Sequence, residues 1–132
     1  MAYNPPPTSI FDVRFPEAGI MLVTINRPTR MNSMPTEGNF EGHALFEWFD
    51  NEPGLTVAII TGAGPKAFCA GADLLQLRDR SRGAPQQQHA PPSGIAGLSR
   101  RAGKKPIIAA VNGFALGGGC EICLNWWVVR HT

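Results

Sequence analysis

The stretch that most limits how this chain can fold is an apolar run, Ile107 to Val111, that empties into Asn112-Gly113-Phe114-Ala115-Leu116-Gly117-Gly118-Gly119-Cys120-Glu121. The run reads as a buried strand, the glycines as a tight turn, and the apolar residues after Glu121 as the start of a helix. Glycines let the backbone approach a ligand closely, because no Cβ stands in the way. The first amides of a helix are unpaired and attract negative charge. An acid beside such amides is the combination needed to move a proton while an oxyanion forms. Glu121 is therefore the candidate acid/base residue.

A second segment of the same kind, Phe68-Cys69-Ala70-Gly71-Ala72-Asp73-Leu74, follows another strand-like run, Thr56 to Thr61. Three further pieces stand in order with these two: Ile25-Asn26-Arg27-Pro28, Arg30-Met31-Asn32-Ser33-Met34 and Lys105 through Gly113. Together they resemble the crotonase family, the enoyl-CoA hydratase/isomerase superfamily, over roughly residues 10–125. The resemblance implies an α/β fold in which ββα turns stack in a spiral, of which this chain carries the N-terminal half. It also implies an acyl-CoA thioester substrate, a 2-enoyl-CoA to which water is added. No metal and no cofactor beyond the coenzyme A moiety of the substrate is implied. By the same resemblance, the backbone N–H groups of Ala70 and Gly118 hold the thioester oxygen as an enolate forms. Glu121 then acts as general acid/base, and Ala70, Gly71, Ala72, Asp73, Gly117 and Gly118 line the substrate. From its own position, Asp73 reads as an acid capping the helix after the turn.

The family's second glutamate matches no residue of this chain. After Asn125 the family commonly continues with Cys-Asp, where this chain has Trp126-Trp127. These departures lead to the expectation of a truncated product whose activity alone is weak or absent. The alternatives are a double-bond isomerase and a non-catalytic interaction partner. Full-length family members form homo-oligomers; the assembly of this chain is left open.

Composition narrows the remaining classes. With 132 residues, 43% hydrophobic and 17% charged, the chain is expected to form one globular domain. A net charge of +2 and the lack of a basic helix with interleaved aromatics argue against nucleic acid. Residues 107–129 are apolar enough to suggest a membrane span, but Glu121 would cost on the order of 2.5–3.5 kcal/mol there. Three cysteines, Cys69, Cys120 and Cys123, make no even disulfide framework. The C-x-x-C pair reads as packing thiols on one helix face rather than a metal site. No targeting signal is evident, so an intracellular location is expected, with mitochondrial, peroxisomal and cytoplasmic all open.

Residues 1–9 read as a loose Pro-rich arm and 10–132 as the partial domain. Phe11 to Phe15 and Gly19 to Ile25 alternate like paired strands, Pro35 to Asn51 shows helical spacing, and Val57 to Ile60 reads as a strand buried on both faces. Residues 78–105 contain three prolines, four glycines and seven Lys/Arg against the single Asp79, and are expected to form a mobile, solvated, basic insertion. Gly62-Ala63-Gly64-Pro65-Lys66-Ala67 satisfies a dinucleotide fingerprint, but Pro65 and the residues after it lack the immediate helix that motif needs.

Overall fold

The computed structural model describes residues 3–81 and 90–130. Its elements run β1 (Phe11–Arg14), β2 (Ile20–Ile25), α1 (Thr36–Asn51), β3 (Val57–Gly62), β4 (Ala67–Cys69), α2 (Leu74–Ser81), β5 (Ile107–Val111), β6 (Phe114–Ala115), α3 (Gly118–Asn125) and β7 (Trp127–Arg130). Strand, strand, helix thus occurs three times in succession. The main sheet has the order β1-β2-β3-β5-β7, and β4 pairs with β6 in a second sheet. Among the described strands only β1 and β2 are antiparallel; the other pairings are parallel. This is the stacked ββα arrangement expected from the resemblance. The fingerprint at Gly62 leads into strand β4 and not into a helix.

Period-two alternation sets the core face. Met21, Val23 and Ile25 from β2, Ala58 and Ile60 from β3, and Ile107 and Ala109 from β5 are all fully buried. Leu45, Phe46 and Phe49 of α1 belong to the same core, as their spacing requires of one helix face. The opposite face of β3 is only half-buried at Val57, Ile59 and Thr61. That strand is therefore not enclosed on both sides as its apolar run implied.

Two expectations give way. The arm is anchored: Tyr3 packs on Phe15 and Trp48 and its hydroxyl donates to Gly54 O, while Ser9 donates to the Glu41 carboxylate. The second correction concerns residues 90–105, expected to be solvated. A single turn at Ile95–Gly97 buries Ala96, Leu98 follows it into the core, and Asn39 Oδ1 accepts from Ala96 N. Buried Arg101 pairs with Asp50 at 2.8 Å, and Lys105 Nζ donates to the Phe49 and Glu52 carbonyls at the end of α1. The basic residues here cap and pair with α1, so their charge marks helix docking rather than solvation. The 82–89 part of the expected insertion lies outside the described residues.

Beyond Asn125 the Trp126-Trp127 departure does not stop the sheet, because β7 pairs in parallel with β5. Trp126 Nε1 and Asn125 Nδ2 both donate to Leu98 O. Phe114, Leu116, Leu124, Trp127, Val128 and Val129 are exposed. No described helix is long and apolar enough to cross a membrane.

Candidate active site

Two strand exits meet at the predicted residues. The first follows β4, where Gly71 takes a left-handed φ of +91°. The second precedes α3, with Gly117 at φ +53° as its N-cap. They touch closely: a Cβ on Gly71 would lie 2.8 Å from Leu116 O and 3.1 Å from Gly118 N. Gly119 lies flat on β4, where a Cβ would come within 2.0 Å of Cys69 O. Leu116 N in turn donates to Cys69 O at 3.0 Å. Glycine is required at both positions because backbone occupies the side-chain space.

The amides divide into used and free. Ala70 N donates to Met31 O at 3.1 Å, so the donor role expected of Ala70 conflicts with a bond already made. Met34 bridges Ala72 in parallel, its N–H donating to Gly71 O and its carbonyl accepting from Asp73 N. Pairing of that kind turns the N–H of Ala72 itself to the opposite side. Ala72 N and Gly118 N donate to no described residue. Gly118 is the first residue of α3, whose leading N–H groups have no helical partner.

The turns are held by side chains quoted in the motifs but given no role there. Asn32 is fully buried: its Oδ1 accepts from Arg27 N at 2.9 Å, and its Nδ2 donates to Ala63 O and Ala67 O at 2.9 and 2.8 Å. Asn112 accepts from Gly62 N and donates to Gly64 O and Ala67 O. Two side-chain amides thus brace the link between β3 and β4, both donating to Ala67 O. Their signal in the sequence was polarity inside otherwise structural motifs.

Asp73 is fully engaged in the scaffold. Its Oδ1 accepts from Leu75 N and Gln76 N, capping α2, and its Oδ2 pairs with Arg27 at 3.3 Å. The helix-cap reading is therefore the one its bonds match, and a direct substrate contact by this carboxylate is not. Burial pushes the Asp73 carboxyl up, but the Gln76 N–H, the Arg27 guanidinium and the Leu75 N–H outweigh it and hold it below the ordinary value. A depressed folded-state value means that the unfolded chain binds more protons, so stability rises with pH. Asp73's contribution is present above the unfolded value, about 3.9, and is lost as pH falls through the folded one. Asp73→Asn is expected to flatten the acid limb of stability below about pH 4, read as melting temperature against pH; an unchanged limb rejects this.

Glu121 stands in the first turn of α3 and is exposed. With Ser99, Arg100, Leu124 and Asn125 it lines a hollow of about 300 Å³. On the other side of α3, Phe114, Leu116, Cys120, Cys123 and Val128 line an apolar cavity of about 710 Å³. Cys120 is exposed there and not a packing thiol, whereas Cys69 is buried and Cys123 half-buried. Burial pushes the Cys69 thiol up to about 11. Alkylation of the native chain at pH 8 is expected to modify Cys120 quickly and leave Cys69 intact until denaturation, as peptide mapping would show; equal rates contradict it. No cluster of three metal-ligating side chains occurs among the described residues.

The enoyl-CoA hydratase/isomerase family model matches residues 16–126, and the chain belongs to that family. It is 50% identical over 118 residues to a mevalonyl-coenzyme A hydratase of Aspergillus fumigatus, covering 89% of this chain and 43% of that protein. To a short-chain-enoyl-CoA hydratase of Clostridium acetobutylicum it is 38% identical over 113 residues, 83% of this chain and 41% of that one. The crystal structure of an enoyl-CoA hydratase from Mycobacterium tuberculosis superposes with a TM-score of 0.77 at 34% identity, covering 92% of this chain and 45% of that chain. The chain therefore spans less than half the length of these relatives.

Proposed function

We propose that this chain carries the first half of an acyl-CoA hydratase site, acting on 2-enoyl-CoA thioesters or the 3-hydroxyacyl-CoA products of their hydration. The relatives named as hydratases support the reaction type. The carrying observation is the contact of Gly71 with the Gly118 amide, flanked by two N–H groups, those of Ala72 and Gly118, without an internal acceptor.

In this reading water oxygen adds to C3 of the enoyl group. The displaced electron pair moves onto C2 and the thioester oxygen, giving an enolate, and C2 then takes a proton. Ala72 N–H and Gly118 N–H hold that oxygen, and each such donor contributes about 2.7–4 kcal/mol to the transition state. Ala72 takes the place first expected of Ala70, whose hydrogen is spent on Met31. Glu121, one turn beyond Gly118, positions the water or relays its proton. The resemblance to a mevalonyl-coenzyme A hydratase at 50% identity favours a branched acyl group.

The test is hydration of crotonyl-CoA and dehydration of mevalonyl-CoA by the purified chain. Turnover alone is expected to be weak. Glu121→Gln is expected to lower whatever rate is present about 100-fold while thioester binding persists; an unchanged rate rejects Glu121 as the acid/base group. The exposed apolar side chains Trp127, Val128 and Val129 favour a second reading, a non-catalytic binding product. A chain that elutes in a stable complex and turns over neither substrate supports that reading instead.

A further inference from the structure

A cavity of about 370 Å³ separates the C-terminal half of α1 from the 92–104 segment. Glu47 and Asp50 line it from the helix, and Arg100, Arg101 and Lys104 from the facing segment. The Arg101 side chain is only 7% exposed; its Nη2 pairs with Asp50 at 2.8 Å and stands 3.6 Å from Glu47. Its Nε is buried and has no hydrogen-bond partner. A guanidinium N–H can only donate, so a buried one calls for an acceptor oxygen. Gly103 packs closely on this pair: a Cβ there would lie 3.2 Å from Arg101 Nε and 2.8 Å from Asp50 Oδ2.

The charges around this space do not cancel. Asp50 already takes Arg101 and the Lys104 N–H, and Glu47 faces both Arg101 and His43. Three fixed cations face two carboxylates, and the Arg100 guanidinium has no ion pair among the described residues. His43 and buried Ser93 also line the cavity, with His43 Nδ1 2.7 Å from Ser93 Oγ.

We propose that this cavity binds a small oxoanion, a carboxylate or phosphate group, one oxygen of which accepts the Arg101 Nε–H while Arg100 supplies the balancing charge. Arg100 also lines the Glu121 hollow, so the two sites adjoin, but this one does not depend on the acyl-CoA reading. The test is titration of the full chain with inorganic phosphate and with acetate at constant ionic strength, followed by ¹⁵N–¹H spectra that include the arginine Nε–H region. Saturable shifts of Arg101 Nε–H and the Gly103 amide with one dissociation constant are expected from phosphate, acetate or both. Gly103→Ala keeps every charge but crowds Asp50 and the Arg101 Nε–H, and Arg100→Gln alters an exposed residue. Each is expected to weaken binding at least tenfold, with a thermal melt confirming the fold of Gly103→Ala. Should Gly103→Ala fail to fold, the exposed Arg100→Gln change carries the comparison. No saturation by either anion, or wild-type affinity in Arg100→Gln, overturns the proposal and leaves a pocket for water.

Discussion

Gly119→Ala is expected to lower stability by about 3 kcal/mol, the upper end of overpacking costs, and to drop the melting temperature by roughly 10 °C. The first turn of α3 rests on β4, and the added Cβ would stand 2.0 Å from Cys69 O and 2.8 Å from Cys69 C. Both partners are backbone, so no rotamer change relieves the clash; α3 must lift away from β4. Gly117→Ala is the control. A Cβ at Gly117 meets nothing within 4 Å, and only its φ of +53° is unfavourable. The expected loss there is about 1 kcal/mol. If the two variants melt together, close docking of α3 does not order this site.

Asn32→Ala is expected to cost about 4 kcal/mol, seen as a lowered denaturant midpoint at unchanged slope. The residue is fully buried and makes three hydrogen bonds. Its loss strands Arg27 N and Ala63 O, at about 1–3 kcal/mol each when buried. Ala67 O keeps Asn112 as a donor. Asn32 also sits at φ +55°, a left-handed conformation that asparagine tolerates better than alanine. Asn112 is only half-buried, its partner Gly64 O is exposed and Ala67 O keeps Asn32 as a donor, so Asn112→Ala is expected to lose roughly half as much. Equal losses would mean that burial does not set the difference.

The strands and α1 were readable because their patterns are local. Alternation in 20–25 and helical spacing in 36–51 follow directly from which side chains meet the core. The glycine turns were readable because a missing Cβ leaves a mark in the sequence itself. Residues 90–105 misled for the converse reason. Arg101 and Lys105 look solvated until Asp50 and the end of α1, some fifty residues away, supply their partners. Ala70 misled because a motif gives the position of a turn but not the direction of each amide within it. That direction depends on Met31, which only the folded chain brings alongside. The exposure of Glu121 was also unreadable locally, since it depends on what packs over α3.

The central claim is that the amides of residues 72 and 118 share one thioester oxygen. The most direct measurement is an amide-resolved ¹⁵N–¹H titration of the chain with acetoacetyl-CoA, whose thioester readily forms an enolate. The account predicts that the Ala72 and Gly118 signals shift together and saturate at a common dissociation constant, while the Ala70 signal, bonded to Met31, stays in place. Movement of Ala70 with Ala72 unmoved, or Ala72 and Gly118 responding with unrelated affinities, would contradict it.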